Sequence, residues 1–301
     1  MLVPEADDSS PQVRGLVLTY RRRRQATETV RHLVEAEGFD PGNILLVVNA
    51  HGGLDDADLA QRVPTVVLRE NLGPAGGFRE GLMRLAEDER TDWIYVCEDD
   101  VGALSLPAPR VRELVTATEA VARDQGRRIG AVVSYGRRLD RRTGLTRPQA
   151  AAGEGDRFQP TDVAAWGSTL VAAGPVREGV LPDADFFFGY EDFDFFLQLQ
   201  GRGYEVLLDR DAAVAVADET LHGYVSASAV ETWRTYYATR NFLELRRRHG
   251  HLGWTVVHLL KSLRRCHLIH SRAGCRAILE GLRDGFRHKL GRKDFGRAEA
   301  D

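Results

Sequence analysis

Short apolar runs alternate with amphipathic stretches along the chain, and polar or glycine-rich residues break most of the runs. Val13 to Tyr20, Asn43 to Asn49, Thr65 to Leu68, Trp93 to Cys97 and Ile129 to Tyr135 read as strands. Their β-branched and aromatic content suits buried strands. Between them apolar positions return at helical spacing, as in Val30, Leu33 and Val34, then Phe78, Leu82 and Leu85, then Val111 to Arg123. Further on, Ala164 to Ala172, Glu205 to Leu208 and Ala213 to Ala217 read as strands. Helices are expected from Glu191, with Phe193, Phe196 and Leu197 on one face, and from Trp233 to Arg247. This alternation predicts an α/β fold with a central sheet flanked by helices. Arg137 to Gly155 is polar and rich in Arg and Gly, and reads as a loop or hairpin that could serve as a lid or acceptor loop.

Two acidic clusters interrupt the pattern. The run Asp92-Trp93-Ile94-Tyr95-Val96-Cys97 empties into Glu98-Asp99-Asp100. Three consecutive carboxylates cannot join the core, because unpaired buried charge is too costly. The carboxyl end of an α/β strand is where such sheets bind ligands. Glu98 and Asp100, spaced i, i+2, point to one side of an extended segment and suit one hard cation that would hold a diphosphate. A solvated acidic turn is the plainer alternative. The second cluster runs from Asp183 to Asp194. Glu191 and Asp192 fall in the first turn of a helix, where free N–H groups and the dipole favour a carboxylate. They are either a capping pair or include a base for an acceptor hydroxyl. Asp194 is placed to orient its neighbours.

Other positions carry two readings each. In Arg69-Glu70-Asn71-Leu72-Gly73-Pro74-Ala75-Gly76-Gly77-Phe78 the glycines either allow tight packing or let a ligand reach the backbone, with the Asn71 amide beside it. The spacing is neither a Rossmann nor a P-loop signature. Arg21 to Arg24 form a solvated charge run or supply a phosphate contact. Trp166, next to Gly167, is a core aromatic or a binding platform. His51 reads as a surface residue. His222 is a surface histidine or a neutral imidazole ligand.

Composition changes the picture only at the C-terminal end. The 301 residues are 43% hydrophobic and 28% charged, with net charge −3, as in an ordinary soluble globular protein. Residues 246–293 hold thirteen Lys and Arg against Glu280 and Asp284 alone, so the remainder carries the negative charge. Residues 1–245 are expected to form the catalytic domain, and 246–301 a basic extension of one or two amphipathic helices. These would dock on the body or lie on a membrane. Its charge suggests a polyanionic partner, a membrane surface or a phosphorylated acceptor, while no motif that reads RNA or DNA is present. Three scattered cysteines imply a reducing compartment. Met1 to Gln12 does not resemble a signal sequence, and no run nears the ~18 apolar residues of a membrane span. The expected location is the cytoplasm, with peripheral contact at the inner face of the plasma membrane left open.

Together these segments resemble family 2 glycosyltransferases of the GT-A fold, over about Val13 to Gly250. Arg69 to Phe78 looks like the family's Asn-x-Gly-x-x-Gly-Gly-Phe nucleotide loop, and Trp93 to Asp100 like its strand ending in Asp-x-Asp, with Glu98 at the first position. Gly189 to Asp194 looks like its Glu-Asp-x-Asp motif, and Val48-Asn49 stands where the family has Asp-Asn. Trp233 to Asn241 is similar to a segment of the actinobacterial galactofuranosyltransferase and rhamnosyltransferase branch. The resemblance implies a metal-dependent, inverting transfer from a nucleotide-diphosphate sugar, of UDP-galactofuranose or dTDP-rhamnose type, in cell-wall or natural-product glycosylation. The acceptor would be a glycan, a lipid-linked glycan or a small molecule. It implies Asp192, with Glu191, as catalytic residues and Glu98, Asp100 and His222 as ligands of Mg²⁺ or Mn²⁺. Donor contacts would come from Thr19, Arg21, Asn49, Asn71, Gly76, Gly77, Asp99, Trp166 and Arg240. A non-catalytic nucleotide-sugar or glycan-binding protein on the same fold is the alternative.

Overall fold

Ile44-Leu45-Leu46-Val47-Val48 is buried at every position, as a parallel strand covered on both faces must be. The computed structural model describes residues 11–99, 110–149, 156–213, 232–269 and 271–295. In it this strand belongs to an eight-stranded sheet. In sheet order the strands are β3 (Thr65–Val67), β2 (Ile44–Val48), β1 (Val13–Thr19), β4 (Trp93–Glu98), β10 (Thr169–Ala172), β5 (Ile129–Val133), β11 (Glu205–Asp209) and β8 (Phe158–Pro160). β10 runs antiparallel to β4 and β5, and β8 antiparallel to β11; the other neighbours are parallel. A second sheet of order β7 (Thr146–Pro148), β6 (Gly136–Leu139), β9 (Val163–Ala164) turns the polar stretch after Arg137 into a hairpin.

Strand alternation sends neighbouring side chains to opposite faces. Val17, Trp93, Tyr95 and Cys97 pack with α1 (Arg23–Glu35), α2 (Ala57–Arg62) and α4 (Val111–Gln125). Leu16, Leu18, Ile94 and Val96 pack with α3 (Gly73–Ala86), α5 (Ala173–Arg177) and α6 (Glu191–Gly201). The chain moves outward from β1 to β2 and β3, then returns to place β4 on the other side of β1. Such a reversal leaves a crevice at the carboxyl ends of the strands. The motif residues that follow β1, β2, β3 and β4 all lie at that end.

Three helices close the C-terminal side: α7 (Thr232–His249), α8 (Leu252–Ile269) and α9 (Arg272–Phe286). α9 approaches α7 closely because Gly281 and Gly285 face it; a Cβ on Gly281 would lie 2.8 Å from the Tyr236 carbonyl oxygen. Position 245/246 falls inside α7. No helix among the described residues is long and apolar enough to cross a membrane.

Several expectations are adjusted. The run Ala164 to Ala172 is two short strands, not one, because Ser168 takes φ 51° between them. α3 begins at Gly73 rather than Phe78, so the glycines sit in its first turns. Ala213 is helical, and residues 214–217 lie outside the described residues. α2, α5 and β8 were not anticipated.

Candidate active site

The end of β1 and the end of β4 meet over Asp99. The Thr19 hydroxyl donates to Asp99 Oδ2 (3.0 Å) and Arg22 Nη1 to Oδ1 (3.2 Å), while Thr29 Oγ1 donates to the Asp99 carbonyl (3.0 Å). Asp99 is thereby buried and turned towards β1 and α1. Glu98, one residue earlier, points to the other side and is exposed. Arg21 takes φ 62°, its N–H donates to His51 O (2.7 Å), and its guanidinium lies against the Tyr20 ring. Asp100 and His222 lie outside the described residues.

Asn49, buried after β2, ties two loops together. Its Nδ2 donates to Asn71 Oδ1 (3.0 Å) and to Gly73 O (3.1 Å), and its Oδ1 accepts from the Leu72 N–H (2.8 Å). Asn71 Oδ1 also accepts from the Gly73 N–H (2.8 Å), which fixes the turn into α3. Gly73 has φ 69°, and a Cβ there would lie 1.9 Å from Phe187 O. The turn therefore touches the loop of the second acidic cluster. Gly76 abuts Leu72, and a Cβ on Gly77 would meet the Leu18 side chain at 2.4 Å. These two glycines face protein, and Gly77 lets α3 sit close on β1.

Three residues between 187 and 190 adopt positive φ: Phe187 (61°), Gly189 (78°) and Tyr190 (70°). For Phe and Tyr this conformation is strained and needs outside support. Two adjacent residues of α7 supply it. Asn241 Nδ2 donates to the carbonyls of Phe186, Phe188 and Gly189 (2.9, 2.9 and 2.8 Å). Arg240, itself 1% exposed, donates through Nη2 to Phe186 O (2.8 Å) and through Nη1 to Gly291 O (2.6 Å). Beyond the loop Asp194 is fully buried, with His249 Nε2 (2.8 Å), Gln198 Nε2 (2.7 Å) and Arg248 Nη1 (3.2 Å) around its carboxylate. It orients α6 against α7.

Glu191 and Asp192 open α6 with far fewer partners. Asp192 Oδ1 accepts from the Phe193 N–H (2.7 Å). Glu191 is 4% exposed, and its Oε2 is buried without a hydrogen-bond partner among the described residues. Burial pushes the Glu191 carboxyl well above the usual range, and the charges of Asp192 and Glu98 add to it. Glu98 and Glu191, 93 residues apart in sequence, are thus electrostatic neighbours. Burial also pushes Asp192 up to about 7.

The structure thus brings Thr19, Asn49, Asn71, Glu98, Asp99, Glu191 and Asp192 to one end of the sheet. Trp166 is instead 2% exposed and packs on Phe78 and Phe195, with its indole Nε1 unpartnered among the described residues. Arg240 faces backbone carbonyls. Arg22, Thr29 and Asn241 belong to the site's framework and are not among the individual residues that the sequence assigns to the site. Arg22 lies within the Arg21 to Arg24 charge run and Asn241 follows Arg240 on α7, so position offers a signal for both; nothing in the sequence marks Thr29. Among the described residues no three His, Cys, Asp or Glu side chains are arranged to hold a metal.

No protein-family model and no curated protein matches the chain. Solved structures do. GalNAc-T7, crystallised with UDP, GalNAc and Mn²⁺, aligns over 89% of this chain and 59% of its own at 10% identity and a TM-score of 0.52. S. aureus TarS (residues 1–349) aligns over 95% of both chains at 11% identity and TM-score 0.45. The mannosyltransferase PcManGT from Pyrobaculum calidifontis, in complex with GDP-Man and Mn²⁺, aligns over 98% of this chain and 79% of its own at 12% identity and TM-score 0.46. The chain spans about three-fifths of the length of GalNAc-T7. The fold is of the GT-A type, with added C-terminal helices.

Proposed function

We propose that the protein is a metal-dependent, inverting glycosyltransferase that uses a nucleoside-diphosphate sugar. One observation supports the reading: Asp192, raised to about 7, adjoins Glu191, whose carboxyl feels the charge of Glu98 at the end of β4. A carboxylate near the working pH accepts a proton effectively. Asp192 takes the proton of the acceptor hydroxyl as that oxygen bonds to the anomeric carbon. The bond from that carbon to the nucleoside diphosphate breaks, and the diphosphate leaves with the electron pair.

Glu98, with Asp100 and His222, would hold Mg²⁺ or Mn²⁺. The oxygen donors and the negative excess around Glu98, Glu191 and Asp192 suit a hard divalent cation. That cation would neutralise charge on the donor diphosphate. GalNAc-T7, whose fold this chain shares, was crystallised with UDP and Mn²⁺. Asn49 and Asn71 form the wall for the nucleotide, with Thr19 and Asp99 beneath it. Arg240 positions the acidic loop from behind. UDP-galactofuranose and dTDP-rhamnose are the donors to assay first, because Trp233 to Asn241 resembles that branch. Asp192→Asn should abolish transfer and keep the Mn²⁺-dependent thermal shift given by nucleotide. Full transfer in that variant would remove the base assignment.

A further inference from the structure

The loop carrying the acidic cluster has two flanks. Phe187 lies against the Gly73 turn, and Tyr190 lines a cavity of about 490 Å³ on the other side. The β6–β7 hairpin, the start of α6, α7 and α8 enclose this cavity. Arg137, Lys261, Arg264 and Arg265 line it. Among the described residues none of these four has a carboxylate within ion-pair distance. Arg137 donates to Thr146 Oγ1 (2.8 Å) and to the Tyr135 hydroxyl (3.1 Å), and Arg265 to Thr235 Oγ1 (3.3 Å), all neutral acceptors. Elsewhere the arginines commonly pair with acids, as in Arg127–Glu205 and Arg110–Asp209. Four unneutralised cations around one concavity make a site for an anion. Tyr190, Phe193 and Phe242 give the same cavity an apolar wall.

We propose that this cavity is the acceptor subsite, and that the acceptor carries a phosphate or diphosphate next to the hydroxyl that is glycosylated. The transferase reading supplies what the bound molecule does there. Tyr190 lines the cavity together with Arg137 and Arg265 and stands two residues before Asp192, so the base is carried on the same loop that walls the cavity. Acceptor phosphate bound by Lys261 and Arg265 would hold its hydroxyl on the Asp192 side of the loop. The face of α8 turned away from 258, 261 and 265 bears exposed Leu252, Val256, Leu260 and Leu263. A phosphate borne on a lipid is therefore one source, and a free phosphorylated molecule the other.

Isothermal titration of the full chain in EDTA tests this with two probes, inorganic pyrophosphate and geranyl diphosphate. The wild type should bind at least one, and Lys261→Ala/Arg265→Ala, at exposed positions, should lose about tenfold or more in affinity with two charge-assisted contacts gone. Tighter binding of geranyl diphosphate identifies a lipid-borne phosphate, and equal binding a phosphate alone. Absence of binding to both probes, or binding unchanged in the double variant, overturns the proposal. Thermal shifts with UDP, GDP and dTDP plus Mn²⁺ serve as the control. They should be equal in the wild type and the double variant. No shift in either would sink the transferase reading while the anion result stands or falls by itself.

Discussion

Asp192→Asn should change how stability depends on pH, apart from its effect on catalysis. The Asp192 carboxyl sits at about 7 in the folded chain, against an ordinary value of 3.8. A raised carboxyl holds its proton more tightly when folded. Its contribution is fully present below about pH 4 and is lost as pH rises through about 7. The gap is worth at most about 4 kcal/mol at ~1.4 kcal/mol per pH unit, with about 2–3 kcal/mol of it falling between about pH 5 and about pH 8. Asparagine carries no titrating proton, so this loss disappears. Removing the Asp192 charge also relieves Glu191, which acts in the same direction. Urea unfolding of the metal-free protein, followed by tryptophan fluorescence, gives the stability at each pH. Relative to wild type, the variant should gain about 2–3 kcal/mol across that range. A difference that stays level with pH, or falls, would refute the argument that the cleft desolvates Asp192.

Other perturbations separate framework from chemistry. Arg240→Gln removes the guanidinium from the Gly291 carbonyl and from the Phe186 carbonyl, which Asn241 still holds; it should cost about 1–3 kcal/mol in urea unfolding and lower turnover more than nucleotide affinity. Gly73→Ala drives a methyl into Phe187 O at a positive φ, and thermal unfolding should report a loss of about 3 kcal/mol or more. Asp194→Asn breaks a buried contact set with Arg248 and His249 and should cost about 3–5 kcal/mol by the same measurement. EDTA should abolish the thermal shift given by a nucleotide sugar and Mn²⁺ should restore it; a shift that persists in EDTA counts against a bridging cation.

What the sequence made legible follows from which interactions are local. β2 and β4 are apolar runs that stay apolar because both faces are covered, and exposed Glu98, ending β4, marks where cover stops. Glu191 and Asp192 stood out because a helical pattern begins on them. The start of α3 was hidden, because glycine reads as a turn former while Gly73 and Gly77 serve close contact with Phe187 and Leu18. The short helix α2 had a signal in the Asp56 side chain, which accepts from the Asp58 and Leu59 N–H groups. No sequence signal could reveal the work of Arg240, because its partners are backbone carbonyls more than fifty residues away. The same holds for the cavity beside Tyr190, which four separate segments enclose.

Gly291, past the end of α9, gives its N–H to Asp185 O at 2.6 Å, and its own carbonyl takes the guanidinium that also holds Phe186. On the proposed reading, the turn past the end of α9 and the proton acceptor are parts of one mechanical linkage. Grafting a different tail to redirect the enzyme towards a new acceptor would therefore retune its turnover at the same stroke, and the two traits would be inherited as a pair.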